Sequence, residues 1–345
     1  MGRSCRGAPS GGTLPRVTGP SPTAPPAYRA EDRALLLSFY RRLFWDRLVL
    51  ALPPTLKPNT ITLVAEACAV LAAFAAWGAS HGVPVLYLLS GLLLFAYMTG
   101  DNIDGQHARR TGQTSTLGEF LDHGLDGLAS CAVLLCSAFA VHVEGVALVV
   151  LVALGSLGFG SVFWAQYRTG LLVTPRISAM EGVTGASLLQ IATLVLGEPS
   201  WLRFAPDRVN VASVLLVVLA GCYVYAIASP ILRARRAGAK LGELAAPLGI
   251  AIAAIGHSRL DANGIAPSVL VALVVAEMVC RMILLRARGA SRSFVSPLHA
   301  LPLVPLVAAT LGIAPPNACA WAGAAVALAL YARTFAAGVH RMRSA

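Results

Sequence analysis

Residues 100–127 read GDNIDGQHARRTGQTSTLGEFLDHGLDG and lie between two strongly apolar stretches of a 345-residue chain. Five of the 16 acidic residues of the chain fall inside this stretch. Asp101 and Asp104 are three residues apart, and Asp122 and Asp126 are four apart. On helices, each pair presents both carboxylates on one face, and four such charges at a membrane boundary need neutralising cations. We therefore expect neighbouring helices that hold Mg²⁺ or Mn²⁺ beside a phosphate substrate.

The spacers between these acids fit the same interpretation. Gly105, Ala108 and Gly118 are small enough to let a bulky anionic ligand approach the backbone. Arg109 supplies a planar, permanently charged donor for phosphate. Acids for metal, a guanidinium for phosphate and small residues between them indicate a site that handles phosphate groups.

The rest of the chain is too apolar for a soluble protein. Hydrophobic residues make up 57% of it and charged residues only 12%, about half the charged share of an ordinary soluble domain. Since a helix needs about 20 residues to cross the hydrocarbon core, the apolar stretches predict an all-α polytopic membrane bundle of about ten transmembrane helices. The predicted spans are 61–78, 84–100, 122–141, 146–166, 183–197, 211–229, 244–256, 265–285, 297–312 and 317–337, of which the fifth, seventh and ninth are short or interrupted.

The basic residues indicate lipid contact and sidedness. The net charge of +11 could suggest a nucleic-acid partner, but the Lys and Arg residues flank apolar stretches and form no continuous stripe. With the N-terminus in the cytosol and the spans alternating, 24 of the 27 Lys and Arg residues fall on the cytosolic side. The positive-inside rule therefore favours a cytosolic location for the acidic stretch and no nucleic-acid partner.

The chain divides into four parts on composition. Residues 1–30 are rich in Pro, Gly, Ser and Arg, which predicts a disordered basic tail. Residues 31–58 mix aromatics, leucines and arginines at helical spacing, which predicts an amphipathic helix in the membrane interface. Residues 59–200 contain the helices around the acidic stretch, and residues 201–345 form further transmembrane helices.

Three polar residues outside the acidic pairs need an interpretation. Glu66 lies inside the first predicted span, and the sequence assigns it no role. Glu277 precedes Arg281 by four residues inside the eighth span, which predicts an ion pair within the bundle. His107 follows the second apolar span, where we expect an exposed loop residue.

Eight residues of the acidic stretch have the identities and spacing of the signature of the CDP-alcohol phosphotransferases, and the stretch resembles that family. They are Asp101, Asp104, Gly105, Ala108, Arg109, Gly118, Asp122 and Asp126. The PNTIT of residues 58–62 is similar to the element that opens the family's first membrane helix. The LGEFLDHG of residues 117–124, the FWAQYRTG of residues 163–170 and the pair Glu181-Gly182 resemble elements of its choline and ethanolamine phosphotransferase branch.

The resemblance implies an activity and its partners. The reaction would transfer phosphoethanolamine or phosphocholine from CDP-ethanolamine or CDP-choline to diacylglycerol, releasing CMP and forming phosphatidylethanolamine or phosphatidylcholine. The resemblance also implies that residues 59–200 form the catalytic helices. The protein would lie in an endoplasmic reticulum or Golgi membrane with its active site facing the cytosol, and a homodimer is a possible assembly.

The resemblance also implies the site. Two divalent metals, Mg²⁺ or Mn²⁺, would be held by Asp101, Asp104, Asp122 and Asp126. Either Asp126 or His123 would take the proton of the attacking hydroxyl. The substrate-binding residues would be Asn59, Thr62, Gly105, Ala108, Arg109, Gly118 and Glu181.

Two other functions stay open from the sequence. The same signature serves enzymes of the phosphatidylinositol, phosphatidylserine or phosphatidylglycerophosphate synthase type. An ion-coupled transporter also carries acids inside the membrane. In a transporter, however, we expect those acids near mid-membrane in two related halves, whereas here they lie at one boundary in one copy.

Overall fold

The computed structural model describes residues 30–31, 33–260, 263–290 and 292–343, and most of them are helical. The all-α bundle expected from the sequence is therefore confirmed, whereas residues 1–29 of the predicted tail lie outside the described residues. The helices are α1 (Leu37–Tyr40), α2 (Asp46–Ala51), α3 (Pro58–Ser80), α4 (Leu86–Thr111), α5 (Thr116–Ala140), α6 (Gly145–Thr169), α7 (Ala179–Leu196), α8 (Val211–Arg236), α9 (Ala245–His257), α10 (Ile265–Ala287), α11 (Leu303–Thr310) and α12 (Pro316–Arg343).

Eight helices in the described part of the chain are long and apolar enough to cross a membrane: α3 to α8, α10 and α12. The other two predicted spans form the shorter apolar helices Leu241–His257 and Pro297–Thr310, so a count of ten crossings is not confirmed. In the second of these, a 3₁₀ turn ends at Ala300 and α11 begins only at Leu303, directly after Pro302, which lacks the N–H that a continuous helix needs.

The acidic stretch folds as the turn of a helical hairpin. Helix α4 does not end with its apolar residues but continues to Thr111, and Gly112 then ends it in the left-handed region at a φ of 68°. Ser115 begins α5 by accepting a hydrogen bond from the Gly118 N–H, at 3.0 Å. Both acidic pairs therefore lie on helices, as their spacing predicts.

Helix α3 packs against both members of this hairpin. At the crossing of α3 and α4, a Cβ atom on Gly100 would lie only 2.7 Å from the Cβ atom of Ala65, so this approach requires glycine. On the opposite side, α10 packs against α5, α6 and α12 and is largely buried. Helix α5 of the hairpin thus packs against α3 and against the pair α10 and α12, while α4 packs against α3 and α7.

The predicted amphipathic helix is present and docks on this bundle. Helices α1 and α2 are joined by a π-helical turn at Arg41–Trp45. Trp45 is fully buried, and its indole N–H donates to the Thr99 hydroxyl at 3.3 Å, while Leu43 and Leu50 on the same segment are exposed. Upstream, β1 (Ala30–Glu31) pairs in parallel with β2 (Leu172–Val173). The segment therefore has one face on the protein, and its outward face combines leucines with charged residues such as Arg42 and Asp46.

Candidate active site

A cavity of about 900 Å³ lies where the hairpin, the first turns of α3 and the last turns of α10 and α12 meet. Its wall combines carboxylates, small residues and arginines, and nine of the residues predicted for the site line it. They are Asn59, Thr62, Asp104, Gly105, Ala108, Arg109, Gly118, Asp122 and His123.

The outer layer of the acidic cluster faces this cavity. Asp104 is only 4% exposed, and its carboxylate accepts hydrogen bonds from the Thr62 hydroxyl and from the Gly105 N–H. Asp122 lines the same cavity from α5, with 27% of its side chain exposed. The PNTIT element therefore contributes a donor, Thr62, that orients one acid of the first pair.

An inner layer lies one helical turn deeper. Asp101 precedes Asp104 by three residues and Asp126 follows Asp122 by four, and neither Asp101 nor Asp126 is among the residues that line the cavity. Both lie beside Glu66 of α3, and one oxygen atom from each of these three carboxylates lies within 4.8 Å of the others. The Tyr97 hydroxyl donates to Asp126 at 3.4 Å.

His123 lies between the two acids of α5. Its Nδ1 atom is 3.5 Å from a carboxylate oxygen of Asp126 and 3.8 Å from one of Asp122. Its ring packs against Phe163, with 5.2 Å between ring centroids. Both residues predicted as the base are therefore adjacent, but His123 reaches the cavity and Asp126 lies beneath it.

The opposite wall and the rim of the cavity are basic. Arg109 lies in the last turn of α4 and is exposed. Arg286 of α10 pairs with Glu119 of α5 and joins these helices across the cavity. Arg288 and Arg341 also line it. A ligand that carries a diphosphate would meet guanidinium groups at the rim and carboxylates at the floor, so it would require cations between itself and the acids.

The donor set fits hard divalent cations. The cluster offers carboxylate oxygens from two layers and one imidazole, and Mg²⁺ and Mn²⁺ prefer oxygen ligands. Glu66 is 7% exposed and its Oε2 atom has no hydrogen-bond partner, and one oxygen of its carboxyl group lies within 4.8 Å of oxygens of Asp101 and Asp126. These acidic groups could therefore hold a metal.

Glu181 is the one predicted substrate contact that the structure places elsewhere. Its carboxylate accepts hydrogen bonds from the Ser178 N–H and hydroxyl, both at 2.7 Å, and from the Leu36 N–H at 2.9 Å. This is a capping box at the start of α7 that also fastens the segment before α1. Glu181 is not among the residues that line the cavity.

His107 is buried, so the expectation of an exposed loop residue is wrong. Because α4 continues past the apolar span, His107 lies on a helix, and its Nε2 atom is 2.9 Å from the Leu56 carbonyl oxygen. Arg110 donates to the Leu52 carbonyl at 2.5 Å. The last turns of α4 therefore hold the linker between α2 and α3 in place.

The ion pair predicted between Glu277 and Arg281 is present at 3.7 Å, but Glu277 has closer partners. His299 lies 2.6 Å from one carboxylate oxygen, and the Thr334 hydroxyl donates to the other at 2.7 Å.

The sequence missed Glu66 as a member of the acidic cluster. Its signals were present, since an acid inside an apolar span suggests function and Glu66 follows Thr62 by four residues.

Comparison with known proteins agrees with this geometry. The sequence model of the CDP-alcohol phosphatidyltransferase family matches residues 55–226, which contain α3 to α7, most of α8 and all of the acidic cluster.

Three relatives illustrate the match. Choline/ethanolaminephosphotransferase 1 of Arabidopsis thaliana is 30% identical over 180 residues, which cover 50% of this chain and 46% of the relative. Cholinephosphotransferase 1 of Gallus gallus is 32% identical over 181 residues, which cover 50% and 54%. Ethanolaminephosphotransferase 1 of Homo sapiens is 31% identical over 191 residues, which cover 50% and 48%.

The chain spans about half the length of these curated relatives. The matched half is the one that carries both acidic pairs and the floor of the cavity. The candidate membrane spans, the cavity lined by the acidic residues and the family match all indicate the same assignment. This chain belongs to the CDP-alcohol phosphatidyltransferase family of membrane-embedded transferases.

Proposed function

We propose that the protein transfers phosphoethanolamine or phosphocholine from the CDP-alcohol to diacylglycerol, releasing CMP and forming phosphatidylethanolamine or phosphatidylcholine. The observation that carries the proposal is the convergence of both acidic pairs of the family signature, with Asp104 and Asp122 lining one cavity and Asp101 and Asp126 directly beneath it. The relatives described above are named as choline and ethanolamine phosphotransferases, which supports this pair of donors.

In this proposal the CDP-alcohol occupies the cavity. Asn59 and Arg109 contact it from the rim, and Gly105, Ala108 and Gly118 leave room for the nucleotide. The acids Asp101, Asp104, Asp122 and Asp126 hold two divalent metals, Mg²⁺ or Mn²⁺. Metals bound there would supply positive charge to neutralise the diphosphate and the departing CMP. Thr62 fixes the orientation of the Asp104 carboxylate by its hydrogen bond.

His123 receives the proton of the acceptor hydroxyl in this proposal. It lines the cavity, whereas Asp126 does not. With Nδ1 directed at Asp126 from 3.5 Å, the Nε2 atom of His123 is the one that takes the proton. The neighbouring carboxylate then stabilises the imidazolium that forms, as in other acid–base pairs of this kind.

The membrane setting suits a lipid acceptor. Diacylglycerol would reach the cavity from the bilayer between helices, while the CDP-alcohol arrives from water. An alternating topology places 24 of the 27 Lys and Arg residues on the side of the cavity. By the positive-inside rule, this favours a cavity that faces the cytosol. An endoplasmic reticulum or Golgi membrane follows from the family resemblance, and a homodimer stays a prediction.

Within this proposal, residues 59–200 provide the catalytic helices. The C-terminal helices also contribute, because Arg286 of α10 and Arg341 of α12 line the cavity. We therefore treat 201–345 as a part that completes the binding site and not as a separate unit.

The test uses purified full-length protein in detergent with Mn²⁺ or Mg²⁺ and diacylglycerol. CMP release is measured separately with CDP-choline and CDP-ethanolamine, and Asp122→Ala is the blank. We expect release that requires both metal and diacylglycerol and is lost in the variant. Release only with CDP-diacylglycerol and inositol, serine or glycerol phosphate would replace the proposal by another reaction of the same family.

A further inference from the structure

Glu66 is a buried acid in the middle of an apolar helix. It is 7% exposed, and its Oε2 atom has no hydrogen-bond partner. Removing a carboxylate from water without a partner is strongly unfavourable. Such a group persists in a membrane helix when something else neutralises it.

The packing of α3 on α4 determines what Glu66 faces. The two helices are antiparallel neighbours, and Thr62 contacts Asp104 through a hydrogen bond. One turn deeper, Glu66 follows Thr62 by four residues and Asp101 precedes Asp104 by three, so these two acids meet. The close contact of Ala65 with Gly100 holds the helices at this distance.

The inner layer therefore contains three carboxylates and not two. One oxygen atom each of Glu66, Asp101 and Asp126 lies within 4.8 Å of the others. The ion pairs among the described residues bring no lysine or arginine to these three groups, and only His123 pairs with Asp126. The arginines at the cavity rim, such as Arg286 paired with Glu119, belong to the outer wall. Three carboxylate oxygens this close together could hold a cation between them.

We propose that Glu66 is a metal ligand, and that with Asp101 and Asp126 it binds the deeper of the two divalent cations. The proposal rests on the proposed function for the presence of two metals but adds a ligand from α3 that the aspartates of the signature do not include. A further carboxylate strengthens the binding of a hard cation, because affinity follows the number of charged ligands. The deeper metal should therefore remain bound when the outer one has dissociated.

The chain offers a matched control for Glu66. Glu277 is also a buried glutamate in a membrane helix, but both of its oxygens have protein partners, in His299 and Thr334. It does not line the cavity and is not part of the acidic cluster. Glu277→Gln therefore removes a buried carboxylate from the membrane region without touching the proposed metal ligands.

The experiment measures Mn²⁺ binding to full-length protein in detergent, by electron paramagnetic resonance of the free ion, for the wild type, Glu66→Gln and Glu277→Gln. We expect two bound Mn²⁺ in the wild type and a loss of affinity of about tenfold or more for one of them in Glu66→Gln, since changes around metal ligands cost 10–100-fold. Glu277→Gln should bind as the wild type does. Unchanged affinity and number of Mn²⁺ in Glu66→Gln would overturn the proposal.

A second measurement requires no variant. In the Mn²⁺-loaded wild type, anomalous scattering should place a manganese peak in contact with a Glu66 carboxylate oxygen, and a peak that contacts only aspartates would overturn the proposal.

The proposal of Glu66 as a ligand and the proposed transferase function can fail separately. Normal Mn²⁺ binding by Glu66→Gln refutes the Glu66 ligand and leaves the transferase intact. Wild type that loads manganese at Glu66 but releases no CMP refutes the transferase alone.

Discussion

The hydroxyl of Thr62 on α3 donates a hydrogen bond to the buried carboxylate of Asp104 on α4. This bond joins the two sequence elements that resemble the family, the PNTIT at the start of the first membrane helix and the first acidic pair. It also fixes which residues of α3 and α4 face each other one turn deeper. The orientation of the acids thus depends on a residue that is not itself acidic.

Thr62→Val should reduce catalysis because it keeps the shape of the side chain and removes the donor. A hydrogen bond to a charged group contributes about 1.5–3 kcal/mol, which corresponds to roughly 10–100-fold in kcat/KM for CMP release. Thr62→Ser keeps the hydroxyl and should stay within about threefold of the wild type by the same reasoning. Equal kcat/KM for the valine and serine variants would show that the bond does not orient Asp104 for catalysis.

His123→Asn should separate proton transfer from metal binding. The variant removes the imidazole that lines the cavity and leaves both acids of α5, so we expect kcat to fall by about 10²–10⁴-fold with Mn²⁺ binding preserved. Asp126→Asn should lose Mn²⁺ binding and turnover together. Should His123→Asn instead keep its turnover while Asp126→Asn loses only turnover, the proton acceptor would be Asp126.

Gly100→Ala should disturb the inner layer through packing alone. The new Cβ atom would lie 2.7 Å from that of Ala65, so α3 and α4 must separate. Overpacking of this kind costs about 1–3 kcal/mol of unfolding free energy, measurable by unfolding in mixed detergent micelles. We also expect weaker Mn²⁺ binding, because Glu66 and Asp101 move apart.

Gly185→Ala is the control for that variant, since a Cβ atom there meets no neighbour within 4 Å. It should leave both stability and Mn²⁺ affinity close to those of the wild type. Equal losses in the two variants would mean that any helical glycine is sensitive, and that the contact of Gly100 with Ala65 has no special role.

The sequence predicted the parts of the site that depend on spacing within one helix. Asp101 and Asp104, and likewise Asp122 and Asp126, are local pairs, so their common faces follow from helix geometry. The two-layer arrangement was not predictable in this way. The two layers form because α3 packs on α4 in one particular register, which places Glu66 beside Asp101. Since this register cannot be read from the sequence, Glu66 had no assigned role. The count of ten crossings stays unconfirmed, because two of the apolar stretches form helices shorter than the about 20 residues of a membrane span.

Glu181→Ala should affect stability and not substrate binding. The carboxylate closes a capping box with Ser178 and accepts a hydrogen bond from the Leu36 N–H, at 2.9 Å. Loss of such a cap costs about 1 kcal/mol, so the unfolding midpoint should fall while the KM for the CDP-alcohol stays unchanged. Glu181→Gln can still accept these hydrogen bonds and should recover most of the stability. A KM that rises in both variants without a change in stability would return Glu181 to the substrate-binding residues that the family resemblance implies.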